Sequence, residues 1–344
     1  MMIDWVTAKL PFNAPGRLCD GQVMSFDRHG EIKYHVDARL PVVGSHSERI
    51  FVRTAGVDPD GNTCLIEFSG NPVKFLQGHN LFGSSDLLNL VYEAALGVAD
   101  VLGLPQPENV LERLRSGVYS LSRVDLNEMY QFRDRAECLA WLYTAARTSR
   151  TRSQGAVCKG STVYWNKTSK RWSVKAYSKG QELALLRNKD HLLPKSLRDY
   201  ADAALRIELT LKGDELQERG LKVAAAWRTL EESELFHDYV GRIQMSEQKA
   251  TGELFTQIKS RPVAATYQMW LDGHDLRQVL PKNTFYRHRR ALLEHGIDIA
   301  IPHVQEEQRP SNVVPFKSVL QMRVAEVPGW AYGTQLLFEP RKFA

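Results

Sequence analysis

Cysteine is scarce and scattered: Cys19, Cys64, Cys138 and Cys158 share no CxxC spacing. That excludes a disulfide framework and a zinc site of the usual ligand spacing, and the four thiols read as reduced and structural. Long apolar runs are absent too, since none approaches the roughly 20 residues needed to span a bilayer, which excludes a membrane-spanning helical protein. The opening MMIDWVTAKLPF has no basic segment followed by an apolar core. A secretory leader is therefore not expected, and the expected compartment is the cytoplasm. Internal repeats and low-complexity stretches are missing. The most local absence is of acid: between Cys138 and Gln181 no Asp or Glu occurs, where the average acid content would place about five. Nine Lys and Arg occupy the same window, on a chain whose overall balance is only +5. Such a window is a local positive field suited to phosphates.

What is present is ordinary globular material, with 43% hydrophobic and 25% charged residues in 344, enough for about two domains. Strand-like runs cover Asp4–Leu10, Glu31–Ala38, Ile50–Thr54, Thr63–Phe68, Val118–Asn127, Thr162–Asn166, Trp172–Tyr177 and Leu205–Leu211. Two helical patterns interrupt them, at Ser84–Leu102, where leading serines are placed to cap, and at Arg135–Ala146. Beyond Lys212 the chain reads as helices. The expected fold class is α+β: a central, largely antiparallel sheet flanked by helices over residues 1–215, then a mainly helical region over 216–309. Residues 310–344 read as a tail segment packing on the body. Within LPKNTFYRHRRALLEHGI, a turn at Leu280–Pro281 and a cap at Asn283 or Thr284 precede Arg287, His288, Arg289 and Arg290. A basic helix entered from a tight turn is the pattern of a helix-turn-helix reader, although a solvated helix face has the same composition.

Side chains alternate across a strand, so each strand divides into an apolar and a polar face. Glu67 shares a face with Thr63, Leu65 and Ser69; Asp125 with Arg123 and Asn127; Glu208 with Arg206, Thr210 and Lys212. Each acid alone more often faces solvent. Together, carboxylates on one sheet repel unless a cation joins them, and hard oxygen ligands select Mg²⁺ or Mn²⁺. A fourth strand, WSVKAYSKGQEL, sets Ser173, Lys175 and Tyr177 opposite Trp172, Val174 and Ala176, with Lys179 beyond. A tyrosine among lysines in an acid-free window suits attack on a phosphodiester, with an ammonium and a metal stabilising charge. Trp165 and Trp172 are candidates for base stacking, with core packing favoured for Trp172 by its face.

The segments MIDWVTAKLPF, KFLQGHNLFGSSDL, LSRVDLN, GSTVYWNKTSKRWSVKAYSKGQEL, LRIELTLKGDEL, LPKNTFYRHRRALLEHGI and SNVVPF resemble, in order and character, those of the filamentous-phage gene II replication-initiation proteins. The chain is also similar to plasmid rolling-circle initiators, whose blocks read E-x-S-G, R-x-D and Y-x-K-x-x-E. The resemblance implies an HUH-superfamily endonuclease, metal-dependent and site-specific, that nicks the plus strand of double-stranded replicative-form DNA. It implies that Tyr177 is the nucleophile, forming a 5′-phosphotyrosyl link and freeing a 3′-hydroxyl. A later strand transfer would circularise the displaced strand. Lys179 and Glu182 fall in the same block.

The superfamily is named for a His-hydrophobic-His pair, which this sequence lacks. The implied metal site therefore rests on Asp125 first, then Glu67 and Glu208, with His79 of QGHN and Glu182 as contributors. Candidate DNA contacts are Lys170, Arg171 and Lys175 in the acid-free window and Arg287, Arg289 and Arg290 on the basic helix. Expected partners are double-stranded origin DNA, single-stranded DNA, and the host helicase and replicative polymerase. Two alternatives stay open: a plasmid-type initiator or transposase of the same chemistry, and a non-catalytic DNA-binding regulator. Tyr164 is a distant candidate for assisting strand closure, its register with Tyr177 being unreadable from sequence.

Overall fold

The computed structural model describes residues 1–152, 155–159, 161–185, 193–245, 258, 260–294, 297–300 and 324–339. The chain opens with β1 (Met2–Ala14), a ribbon of β2 (Gln22–Phe26) and β3 (Ile32–Asp37), then β4 (Leu40–Val43), β5 (Arg49–Val57) and β6 (Thr63–Gly70). Helices α1 (Pro72–Gln77), α2 (Leu87–Leu102) and α3 (Glu108–Ser116) lead to β7 (Ser120–Gln131). Next come α4 (Arg135–Thr148), β8 (Ser149–Arg150), β9 (Val157–Lys159), β10 (Thr162–Trp165) and β11 (Trp172–Ser178). The sequence continues through α5 (Lys179–Leu185), α6 (Lys195–Asp202), β12 (Ala204–Lys212), α7 (Gly213–Glu218), α8 (Glu232–Val240) and β13 (Gln244–Met245).

Nine strands form one sheet in the order β4-β5-β6-β1-β7-β12-β11-β10-β9. Every neighbouring pair in it is antiparallel. With flanking helices and further helices toward the C-terminus, this is the expected α+β class. The strand expected at Glu31–Ala38 is not part of that sheet. Among the described residues it pairs with β2, in a ribbon whose Phe26, Ile32 and Tyr34 stay exposed.

One face of the central trio β1, β7 and β12 is apolar but for Glu128, which Tyr130 and His237 partner: Ile3, Val6, Ala8 and Leu10; Leu121, Val124 and Leu126; Leu205, Ile207, Leu209 and Leu211, all buried. Leu90, Val91, Ala94 and Val98 of α2 and Trp141 and Ala145 of α4 join the same cluster. Each fully buried aliphatic side chain adds roughly 1.5–3 kcal/mol to folding. The serines before α2 are not its cap. Asp86 is, its carboxylate accepting from the Asn89 amide at 3.0 Å, because it stands directly before the first helical residue.

The helices Arg261–Leu271, Leu276–Val279 and Lys282–Leu293 close a second core around Val263, Tyr267, Trp270, Phe285 and Leu292. The turn at Leu280–Pro281 falls where expected, but the cap does not. The helix already begins at Lys282 behind Pro281, with no side-chain cap, so Asn283 and Thr284 lie inside its first turn. Residues 324–339 pack on the sheet domain: Val324 bridges Tyr130, and Ala331 is buried with Leu81, Phe82, Leu183, Leu197 and Ala201. The SNVVPF stretch (311–316) lies outside the described residues.

Candidate active site

Strand register builds a polar patch on the sheet face opposite that core. Lys175 on β11 pairs with Glu208 on β12, and Glu208 pairs with Asn127 on β7, so three side chains from three strands form one row. The next row is Tyr177, Arg206 and Met129; on the other side, Thr210 pairs with Asp125. β1 contributes through an irregularity. Its register with β7 shifts between Ile3 and Trp5, leaving Asp4 as the extra residue beside Asp125.

Tyr177 is almost wholly enclosed, and its hydroxyl donates a short hydrogen bond to Glu208 Oε1. The other carboxylate oxygen lies 2.6 Å from Lys175 Nζ. Two ammonium groups flank the phenol ring, Lys175 Nζ at 5.4 Å and Lys179 Nζ at 5.8 Å from its centroid. Lys179 does not extend the strand. β11 ends at Ser178, and Lys179 opens α5, where its Nζ meets Glu182 at 2.5 Å and Asn80 Oδ1 at 3.2 Å. Asp125 is paired by the half-exposed Arg123, whose Nε and Nη2 donate to its two oxygens at 2.8 and 2.5 Å.

Burial and the adjacent Glu208 carboxylate push the Tyr177 phenol well above its ordinary range. Burial and Arg206 bring Lys179 down to about 8, against the pull of Glu182. Burial raises Asp125 to about 6, Arg123 opposing and the Glu208 and Asp4 charges reinforcing it. Burial works against the Lys175 ammonium, but Glu208, Asp4 and Asp125 together hold it above its usual range. A tyrosine this hard to ionise could act as a nucleophile only if its proton were taken during attack, and the partner already bonded to it is a carboxylate.

Several candidates have other company. Glu67 is on the same polar face, yet Arg39 and Arg53 clamp it at 2.7 and 2.5 Å, three strands from Glu208, so it is not grouped with Asp125. His79 is buried with both ring nitrogens occupied: Nε2 lies 2.8 Å from the Leu336 carbonyl and Nδ1 accepts from the Leu81 amide at 3.3 Å. Burial lowers it to about 4, and the neutral ring, bonded to the Leu336 carbonyl, latches the C-terminal segment. Glu182 is committed to Lys179. Arg171 is held by Glu215 and Glu218, and Arg289 makes a bidentate pair with Asp298 at 2.6 and 2.7 Å. Lys170, Arg287 and Arg290 are exposed.

Trp165 is fully buried, donating to Ser149 Oγ at 2.8 Å, which removes it from base stacking. Trp172 is partly buried against Tyr239. Tyr164 pairs with Lys175 in the ladder, diagonal to Tyr177, with Lys167 Nζ 4.5 Å from its ring centroid.

Reading by strand alternation set Arg206 on the face of Glu208 but missed two further members, Asp4 and Asn80. Asp4 Oδ1 accepts from Asn71 Nδ2 at 2.7 Å and from Asn80 Nδ2 at 2.6 Å, joining β1 to the loop that holds His79. Arg206 is fully buried and donates to the Asn80 carbonyl. Asn80 is the shared node, in a loop that Gln77 braces by donating to Phe82 O at 2.7 Å. The capping role of Asn71 at α1 was a readable signal, Asn-Pro before a helix; its second bond to Asp4 was not.

Among the described residues, no three His, Cys, Asp or Glu side chains gather as a metal cluster. One donor is left over: Asn127, 1% exposed, has neither amide atom hydrogen-bonded and stands in the row with Glu208, whereas Arg123 holds both oxygens of Asp125 and Tyr177 and Lys175 those of Glu208.

Comparison with known proteins gives two family matches. The model for the N-terminal part of the phage replication-associated proteins covers residues 2–230, and the model for their C-terminal part covers residues 252–336. The replication-associated protein of Enterobacteria phage I2-2 is 35% identical over 336 residues, 95% of each chain. Those of Enterobacteria phages f1 and M13 are 29% identical over 168 residues, 44% of this chain and 38% of theirs.

Proposed function

Because the chain belongs to this family of phage replication-associated proteins, we propose that it starts rolling-circle replication by nicking one strand of the double-stranded replicative form. The observation that carries this reading is the Tyr177–Glu208 hydrogen bond between two lysines. The Tyr177 oxygen attacks the scissile phosphorus as its proton passes to Glu208, and the bond from phosphorus to the 3′-oxygen breaks. Lys179, held near 8, supplies the leaving oxygen with a proton at neutral pH. Lys175 balances the charge on Glu208 and on the phosphate. Closure reverses the step: a 3′-hydroxyl attacks the phosphotyrosine and releases a joined strand.

The Mg²⁺ or Mn²⁺ ion that the resemblance implies finds no ready ligand set among the described residues of this face, where Arg123 holds Asp125 and where Tyr177 and Lys175 hold Glu208. Exposed Arg287 and Arg290 on the C-terminal helix would bind duplex origin DNA, and the polar sheet face would take the unpaired nucleotides around the cut. A freed 3′-hydroxyl is the substrate of the host replicative polymerase, and the displaced strand that of a helicase. The test is incubation with supercoiled replicative-form DNA and Mg²⁺, followed by denaturing separation. Wild type is expected to carry a covalently attached DNA 5′ end, and Tyr177→Phe none. No nick and no adduct on DNA that the protein binds would leave a non-catalytic regulator.

A further inference from the structure

Trp165 pairs with Val174 and Trp172 with Leu211, both on the apolar side of the sheet, whereas Trp5 stands on the polar side. Its indole Nε1 donates to Ser69 Oγ at 3.3 Å, on the face that also carries Glu67. The half-exposed Arg123 lies over the ring, its Cζ 5.5 Å from the centroid. We propose that Arg123, backed by Trp5, stacks on a nucleobase of the unpaired strand, several nucleotides from the cut. This rests on the reading above, in which the polar sheet face takes the unpaired nucleotides, and gives that strand a second point of attachment.

The guanidinium is held flat before any ligand arrives. Its Nε and Nη2 donate to the two oxygens of Asp125 at 2.8 and 2.5 Å. Ser69, itself bonded to Thr7 Oγ1 at 2.9 Å, anchors the indole behind it. A plane fixed in advance loses little side-chain freedom when a base settles on it. The hydrogen bonds to Asp125 lie in that plane and leave its faces for stacking; Trp5 lies under one, and a base would lie on the other. Exposure runs the same way. Asp125 is 2% exposed and the Arg123 side chain 42%, so the pair meets solvent through the guanidinium. Its charge is already balanced by Asp125, which favours a neutral base over a phosphate.

The platform also lies along the reacting face. Trp5 pairs with Asp125, Asp125 with Thr210, and Thr210 with Ser173, four residues before Tyr177 on β11. Three strand spacings across and four residues along amount to about 20 Å. Lys175, whose side chain is 34% exposed, falls between the two rows, where it can meet a phosphate on the way.

The test is binding of the full-length chain to a short single-stranded oligonucleotide spanning the nicked sequence, with each base in turn replaced by an abasic site. In wild type, loss of a base at one position away from the cut is expected to weaken binding about fivefold or more, while exchange for another base there changes little, because every base has a face to stack. Arg123→Lys keeps the charge and loses the plane. It is expected to bind the intact oligonucleotide about fivefold or more weakly, to become indifferent to the base at that position, and to keep the wild-type salt slope. Trp5→Leu should act at the same position, and thermal melting reports whether each variant folds. Should Arg123→Lys fail to fold, the wild-type scan and Trp5→Leu decide. A wild-type scan with no sensitive position away from the cut overturns the platform, as does a folded Arg123→Lys with the wild-type profile, which would make Arg123 a phosphate contact. Wild type that binds no single strand fails the sheet-face reading itself and the platform with it, a result distinct from a flat scan.

Discussion

His79 carries a pH signature of its own. Its ring is buried, bonded through both nitrogens to backbone groups, and brought down from the ordinary 6.5 to about 4 by burial. Between those two values the unfolded chain holds a proton that the folded one refuses, so stability is full above about pH 6.5 and falls as the pH drops toward 4. The loss at pH 5 is about 2 kcal/mol. Asp125, raised to about 6, acts in the opposite sense over an overlapping window, so wild type alone does not isolate either group. Denaturant unfolding of wild type and His79→Gln at pH 7.5 and pH 5 does. The advantage of wild type is expected to shrink by about 2 kcal/mol at the lower pH; an advantage independent of pH would mean the ring is not held neutral. His79 also shows where sequence reading stops. A histidine in a polar motif looks the same whether its nitrogens meet a metal or a backbone carbonyl and amide, one of which lies 257 positions away. Glu67 was misgrouped for the same reason, since alternation assigns its face but not the arginines that clamp it there.

The elements that alternate cleanly were readable, and they are the ones that build the centre of the site: β7, β11 and β12 set Asp125, Tyr177 and Glu208 on one face as their sequences imply. What escaped is what departs from period two. The β1 irregularity moves Asp4, and the end of β11 turns Lys179 into a helix. The start of that helix depends on a close approach. A Cβ on Gly180 would lie 2.7 Å from the Cα of Asp202 and overlap its carbonyl, so α5 can approach the end of α6 only with glycine there. Gly180→Ala is expected to cost about 1–3 kcal/mol and to displace Lys179 from Tyr177. A thermal melt reads the first effect and the yield of covalent adduct with replicative-form DNA the second. Full adduct yield in a destabilised variant would show that the position of Lys179 does not matter to the reaction.

Across the whole molecule, the polar sheet face and the basic helix belong to different cores, one around the nine-stranded sheet and one around Trp270 and Phe285. Each family match falls largely on one of them. The arginines of the helix separate by their partners. Arg287 and Arg290 are exposed, whereas Arg289 is held by Asp298, itself 4% exposed on its side chain. Replacing Arg287 and Arg290 together by alanine is expected to lower the slope of log affinity against log salt for duplex origin DNA by about 2, one released counterion for each lost phosphate contact. Cleavage of a single-stranded substrate should be unchanged, because Tyr177 and its lysines lie on the sheet. Arg289→Ala should act differently, leaving a buried carboxylate unpaired and lowering the melting temperature before it changes the salt slope. Equal loss of single-strand cleavage and duplex binding in the double variant, at unaltered stability, would mean that the two cores act on DNA as one surface.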